Sequence, residues 1–320
     1  MVFNDKKILI IGDLILDTYL IGDVNRISPE APVPIVDITK KNNKLGGAAN
    51  VALNIKKLGS TPIVCSVIGD DINGNVLKKI FDENDIETKF IIKSVNRKTS
   101  NKTRLIGNRH QLIRYDDENI CKLDVKDFNR LNNTINDIFE NQDIDVIIIQ
   151  DYDKGVINKL TIDNLIRISK IKNIPIIVDP KKKNFNYYKN IKLIKPNLKE
   201  LKENINLDLY LDRDKLLIKG SKILHERGIE IVVVTLSEDG MYISYDNGNK
   251  NKIISGIKRN ISDVSGAGDT VISVISILIL DLPIEEIGII SNLAGGIVCE
   301  YLGVVPINKK RLIKEIKKKI

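Results

Sequence analysis

Residues Asp263-Val-Ser-Gly-Ala-Gly-Asp269-Thr270 bring together a Gly-Ala-Gly turn, a carboxylate and a long apolar stretch, Val271 to Leu280. Such a turn ahead of a helix aims unpaired backbone N–H groups and the positive end of the helix dipole at one point, where an anion is favoured. Asp269 is an awkward neighbour for an anion unless it accepts the proton of a hydroxyl that attacks phosphorus. The octapeptide therefore reads as a phosphoryl-transfer centre. A plain glycine turn with an acidic first helical turn would use the same residues.

Two further segments carry polar groups in useful positions. Leu45-Gly46-Gly47-Ala48-Ala49-Asn50 opens a helix; its glycines admit another molecule to the backbone, and Asn50 can bond a hydroxyl. Close helix packing is the alternative for this motif. Asp13 and Asp17 follow the first apolar run, where carboxylates accept hydrogen bonds from sugar diols. In Lys195-Pro-Asn197-Leu-Lys-Glu200, Asn197 and Glu200 share one face of a helix start and suit the water shell of Mg²⁺, or else simply cap the helix.

These residues need a scaffold, and the apolar runs supply one. Lys7 to Ile11, Pro62 to Ile68, Val146 to Ile149, Pro175 to Val178, Lys192 to Ile194 and Ile231 to Thr235 have strand length, and several lack polar alternation, as strands buried on both faces do. Helical patterns fall between them at Ala48 to Leu58, Asn73 to Glu83, Lys126 to Glu140, Leu160 to Ile171 and Arg213 to Arg227. The alternation predicts an α/β fold with a mostly parallel sheet, whose ligands bind at the carboxyl ends of the strands. Segments 15–39 and 89–116 are β-rich without intervening helices, so they are expected to form a small projecting β-sheet, a lid over one domain spanning 1–320.

Composition excludes several alternatives. The 320 residues are 42% hydrophobic and 29% charged, as in a globular protein, and the net charge of +8 is dispersed. Aromatics make up 5% with no Trp, so base-stacking platforms are scarce and no nucleic-acid partner is expected. The basic run Lys309 to Lys319, with Leu312, Ile313 and Ile316 at helical spacing, predicts an amphipathic terminal helix. No apolar run reaches the roughly 18 residues of a membrane span, and the start of the chain reads as a strand rather than an export signal. Cys65, Cys121 and Cys299 form no CxxC pair and read as buried thiols, so a cytoplasmic chain is expected. Two histidines make a His-rich metal site implausible. There is no Gly-Lys dipeptide and hence no Walker A loop, and no G-x-G-x-x-G follows the first strand.

The order Gly12-Asp13, GGAAN, KPNLKE, TLSEDG and DVSGAGDT resembles the ribokinase-like sugar kinases of the phosphofructokinase B type, from Ile8 to about Gly303. Within them, GDLILDTYLIGDVNRISPEAPVPIVDI, LGGAANVALNIKKLG, Asp151-Tyr-Asp-Lys-Gly155, Val178-Asp-Pro-Lys181 and HQLIR resemble the D-glycero-β-D-manno-heptose 7-phosphate kinases. His110 departs from that pattern, which commonly has Gln there.

The resemblance implies a three-layer α/β sandwich with a β-lid, and ATP, Mg²⁺ and a monovalent cation as cofactors. It implies that Asp269 is the catalytic base and that the Gly266, Ala267 and Gly268 amides form the anion hole. Asn197 and Glu200 would organise Mg²⁺ through water, while Thr235, Ser237, Gly240, Asp263 and Asn292 would lie on the nucleotide side. Asp13, Asp17, Gly46, Gly47, Asn50, Asp151 and Lys154 would contact the acceptor. A phosphate on the acceptor needs cations, for which Arg26, Arg104, Arg114, Lys154 and Lys181 are the candidates.

The implied reaction is transfer of the ATP γ-phosphate to the C1 hydroxyl of D-glycero-β-D-manno-heptose 7-phosphate, on the way to nucleotide-activated heptose. A related kinase for ribose or fructose 1-phosphate, or a non-catalytic sugar-binding regulator of this fold, is the alternative. Dimerisation through the lid is also implied. The heptose kinases are often fused to a nucleotidyltransferase with an HxGH motif; with histidines only at 110 and 225, this chain is expected to be a stand-alone kinase or a kinase domain cut from a longer protein.

Overall fold

A computed structural model of the chain describes residues 3–205 and 211–319. In chain order the elements are β1 (Lys7–Gly12), β2 (Leu14–Ile27), β3 (Pro34–Gly47), α1 (Ala48–Leu58), β4 (Thr61–Gly69), α2 (Ile72–Asp82), β5 (Ile91–Ser94), β6 (Ser100–Gly107), β7 (His110–Asp117), α3 (Val125–Asn141), β8 (Val146–Gln150), α4 (Lys159–Lys172), β9 (Ile176–Asp179), β10 (Leu193–Ile194), α5 (Leu198–Asn204), α6 (Arg213–Glu226), β11 (Ile231–Thr235), β12 (Gly240–Tyr245), β13 (Lys250–Ser255), α7 (Ala267–Leu278), α8 (Ile284–Val298) and α9 (Lys309–Lys319). Each expected strand and helix falls on one of these within a few residues at either end.

Nine strands form the large sheet in the order β13-β12-β11-β10-β9-β8-β1-β4-β5. All neighbours from β11 to β5 run parallel, while β12 and β13 add an antiparallel edge. Strand β1 shows why the sheet is covered on both faces. Ile8 and Ile10 pack into the apolar layer that holds α1, α7 and α8, whereas Leu9 and Ile11 pack into the layer that holds α3 and α4. Each fully buried Ile contributes roughly 1.5–3 kcal/mol. The chain leaves β1 toward β4 on one side and later returns as β8 on the other, so the strand order reverses at β1, and that is where open α/β sheets leave a crevice.

Helix α7 is buried from Asp269 through Leu278, which accounts for a run of apolar residues in a core helix. Among the described residues no helix is long and apolar enough to cross a membrane.

The second sheet has the order β3-β2-β6-β7. Strands β2 and β3 pair antiparallel from Leu14↔Gly47 out to Ile27↔Pro34, and β2 runs parallel to β6. The expected segments 15–39 and 89–116 need adjustment. Strand β3 continues to Gly47, so the two glycines end a strand directly before the helix they were expected to open, and Ile91–Ser94 pairs with Ser66–Gly69 at the edge of the large sheet. Of the cysteines expected to be buried, Cys121 is exposed.

Candidate active site

The carboxyl ends of β9, β10 and β11, Tyr152 from the turn after β8 and the amino end of α7 surround a cleft of about 570 Å³. Gly266 caps α7 with φ 82°, the left-handed region that favours glycine, and a Cβ there would stand 2.8 Å from the Asn50 amide nitrogen. No side chain caps this helix. The Ala267 N–H donates to the Val264 carbonyl at 3.3 Å, while the amides of Gly268 and Asp269 have no partner among the described residues. Of the three amides expected to bind an anion, Gly266, Ala267 and Gly268, only that of Ala267 is engaged among the described residues, and the Asp269 amide adds a further open donor. Lys195 stands beside this turn, its ammonium 3.5 Å from the position a Gly268 Cβ would take.

Asp269 forms the wall of the cleft where this turn begins its helix. Its carboxylate accepts hydrogen bonds from the Asn50 amide at 2.9 Å, the Gln150 amide at 3.1 Å and the Tyr152 hydroxyl at 2.7 Å. Only 4% of Asp269 is exposed. Burial pushes its pKa up to about 6, against the pull of Asn50 and Tyr152; Asp179 pushes in the same direction as burial and Lys195 opposes it. Gln150 also donates to Asp179, and Asp179 pairs with Lys195 at 3.1 Å, so three strand ends and the turn are joined by one buried polar network.

The far end of the cleft is lined by Thr235, Ser237, Gly240 and Asn292, with Leu198, Leu236, Ile257 and Val264 supplying apolar walls. Asn292 donates to the Ser255 carbonyl, and Ser237 and Gly240 hold φ values of 58° and 96° at the sharp turn from β11 into β12. Asn197 and Glu200 form a reciprocal capping box at the start of α5, and the second Glu200 oxygen pairs with Lys181. Asp263 accepts from the Ser265 and Gly303 amides and ties two loops together beneath the turn.

On the opposite side of Asp269, the residues expected to contact an acceptor divide. Gly46, Gly47 and Asn50 lie where β3 runs into α1, beside Asp17 and Asp13. Asp13 is buried, and both its oxygens accept backbone N–H groups, those of Tyr152, Lys154 and Val156, so it holds the 150–156 turn in place. Burial, outweighing those bonds, raises its pKa. Asp151 is likewise turned inward to Asn184 and Tyr188, and burial with the nearby Asp13 charge lifts its pKa to about 7. Direct acceptor contact through the Asp13 or Asp151 carboxylate is therefore not what the structure provides; both organise the turn that carries Tyr152.

All five candidate cations are paired with carboxylates. Arg104 is buried against Asp17 at 2.5 Å, Arg114 pairs with Asp116 at 2.6 Å, Lys154 with Glu118 and Lys181 with Glu200. Arg26 lies exposed near the far end of β2, within reach of Asp37 and removed from the cleft. The sequence reading missed Gln150, Tyr152, Asp179 and Lys195. A signal was available, since all four sit at the polar ends of buried strands or within two residues of them.

A doubly covered, mostly parallel sheet, a turn of open amides starting α7 and a buried acid in the wall of one cleft fit a phosphotransferase acting on a small hydroxylated acceptor. The chain belongs to the pfkB family of carbohydrate kinases, whose profile matches residues 5–311, and it is an ATP-dependent carbohydrate kinase. Among curated proteins it is 39% identical to the bifunctional protein HldE of Aliarcobacter butzleri over 95% of its own length and 63% of that protein's. It is 34% identical to the HldE of Syntrophotalea carbinolica over 97% of its own length and 62% of that protein's. The chain thus spans a little under two thirds of these relatives. Solved structures give the same fold. Phosphofructokinase-2 from Escherichia coli in complex with potassium superimposes with a TM-score of 0.79 at 19% identity, covering 98% of this chain and 99% of the other. Arabidopsis thaliana ribokinase complexed with ribose and ATP gives 0.73 at 16% identity over 98% and 99%.

Proposed function

We propose that the chain transfers the γ-phosphate of ATP to the C1 hydroxyl of D-glycero-β-D-manno-heptose 7-phosphate, as a cytoplasmic step toward nucleotide-activated heptose. The observation that carries the mechanism is the position of Asp269. It has an anion turn on one side and the Asn50, Gly46 and Gly47 surface on the other, with a pKa of about 6. Ionised at neutral pH, it accepts the proton of the acceptor hydroxyl as that oxygen meets phosphorus, and a loose transition state asks for positioning more than strong basicity. The Gly266 to Gly268 turn with the Asp269 amide and the Lys195 ammonium neutralise charge gathering on the transferred group. Tyr152, Gln150 and Asn50 fix the orientation of the acid.

Among the described residues no three His, Cys, Asp or Glu side chains cluster as a metal cage. A lone Glu200 carboxylate with Asn197 suits Mg²⁺, which keeps its waters and is bound mainly by phosphates. Those two residues would hold it through water, and it would supply neutralisation of the phosphate oxygens when bound. A monovalent cation belongs to the proposal because the phosphofructokinase-2 neighbour was solved with potassium. We also assign a homodimer joined through the small sheet, on the exposed apolar side chains that this sheet carries.

The acceptor assignment is supported by the resemblance of the 12–37 and 151–155 segments to heptose 7-phosphate kinases and by the HldE relatives. ADP release measured across free sugars and sugar phosphates tests it. Turnover fastest with the heptose 7-phosphate is expected. Faster turnover with ribose or fructose 1-phosphate would reassign the acceptor, and no ADP release with any acceptor would remove catalysis.

A further inference from the structure

Lysine 102, on β6, stands in register with Asp17 on β2 and with Asp116 on β7. Neither carboxylate serves it, because Asp17 is taken by Arg104 and Asp116 by Arg114. Among the described residues, Lys102 has no ion-pair partner. It is nonetheless half-buried, and its ammonium lies 5.5 Å from the centre of the Tyr152 ring, the ring whose hydroxyl donates to Asp269. Burial first, then the nearby Arg114 and Lys154 charges, lower its pKa, with Asp17 and Glu118 opposing. Two like charges thus face a third cation that lacks a counter-ion, one aromatic ring away from the reacting acid. A half-buried ammonium in that setting is unfavourable unless an anion joins it.

The nucleotide phosphates have their own donors at the α7 turn and Lys195, on the other side of Asp269. Lys102 comes from the small sheet, on the acceptor side. We infer that Lys102 is a specificity-determining residue of the acceptor site, its ammonium receiving the phosphate that the acceptor carries away from the reacting hydroxyl. This rests on the reading that the acceptor is a sugar phosphate. Arg114 and Lys154 flank the same space and reinforce the field, while their carboxylate partners keep them in place.

Calorimetric titration with D-glycero-D-manno-heptose 7-phosphate and with the unphosphorylated heptose decides the matter. The wild-type protein is expected to prefer the phosphate ester, and Lys102→Met to lose roughly 10- to 100-fold of that preference, the worth of a charged hydrogen bond. Lys102→Arg should restore most of it, and both variants should keep the wild-type melting temperature and ATP affinity. An undiminished ester preference in Lys102→Met, or no ester preference in the wild type, would overturn the assignment. ADP release in the same samples judges the kinase reading separately: release with the free heptose sustains catalysis even where Lys102 fails, and its absence with every acceptor leaves the binding comparison to decide for Lys102.

Discussion

As the proposed base, Asp269 carries two opposed demands, since the reaction would need its charge and the fold would do better without it. Its folded pKa of about 6 lies above the ordinary 3.8, so the folded state holds the proton more tightly. The corresponding stability is complete below about pH 4 and lost as pH rises through 6, on the order of 2–3 kcal/mol. Replacement by Asn removes that pH dependence, so the melting temperature of Asp269→Asn should gain on the wild type between pH 4 and pH 7; a constant difference across that range would contradict the burial argument. Turnover responds in the opposite sense. Asp269→Asn should bind nucleotide normally and turn over at least about a hundredfold more slowly, and wild-type kcat should fall below about pH 6 as the acid protonates. Near-normal turnover in the variant would take Asp269 out of the chemistry.

At the scale of elements, the α7 turn and α1 act as a unit, because Gly266 leaves room for the Asn50 side chain that holds Asp269. Gly266→Ala forces a Cβ into the left-handed region, costing about 1–2 kcal/mol, and pushes Asn50 aside. A melting temperature lower by several degrees with a ten- to hundredfold loss of kcat is the expected outcome, and an unchanged kcat would show that the acid does not depend on Asn50. Strands such as Lys7–Gly12 and helices such as α1 were legible in sequence because burial imposes their period, and the glycine turn because only glycine fits it. The partners were not. Arg104 with Asp17 and Lys181 with Glu200 join residues 87 and 19 positions apart, and periodicity says which face a residue takes, not whom it meets there. Ile91–Ser94 was placed in the lid for the same reason, since an edge strand of either sheet has the same pattern. Strand β13 (KNKIIS) is mostly exposed and polar, and β12 (GMYISY), although buried at five of its six residues, is too short and glycine-led to stand out as a strand.

On the scale of the whole molecule, the small sheet exposes Ile27, Val33, Ile38, Ile113 and Tyr115, more apolar surface than a sheet facing only water would keep. If this sheet meets its copy, Ile38→Glu with Ile113→Glu should turn a dimer into a monomer in sedimentation equilibrium without lowering the melting temperature, and an unaltered mass would place the interface elsewhere. Strand β2 starts with only Asp13 between it and β1, and β3 ends directly against α1. Fourteen residues of strand extend about 45 Å. Such a beam is held at its base, where Leu14 pairs with Gly47, so a tilt of about 5° there would sweep the tip by about 4 Å.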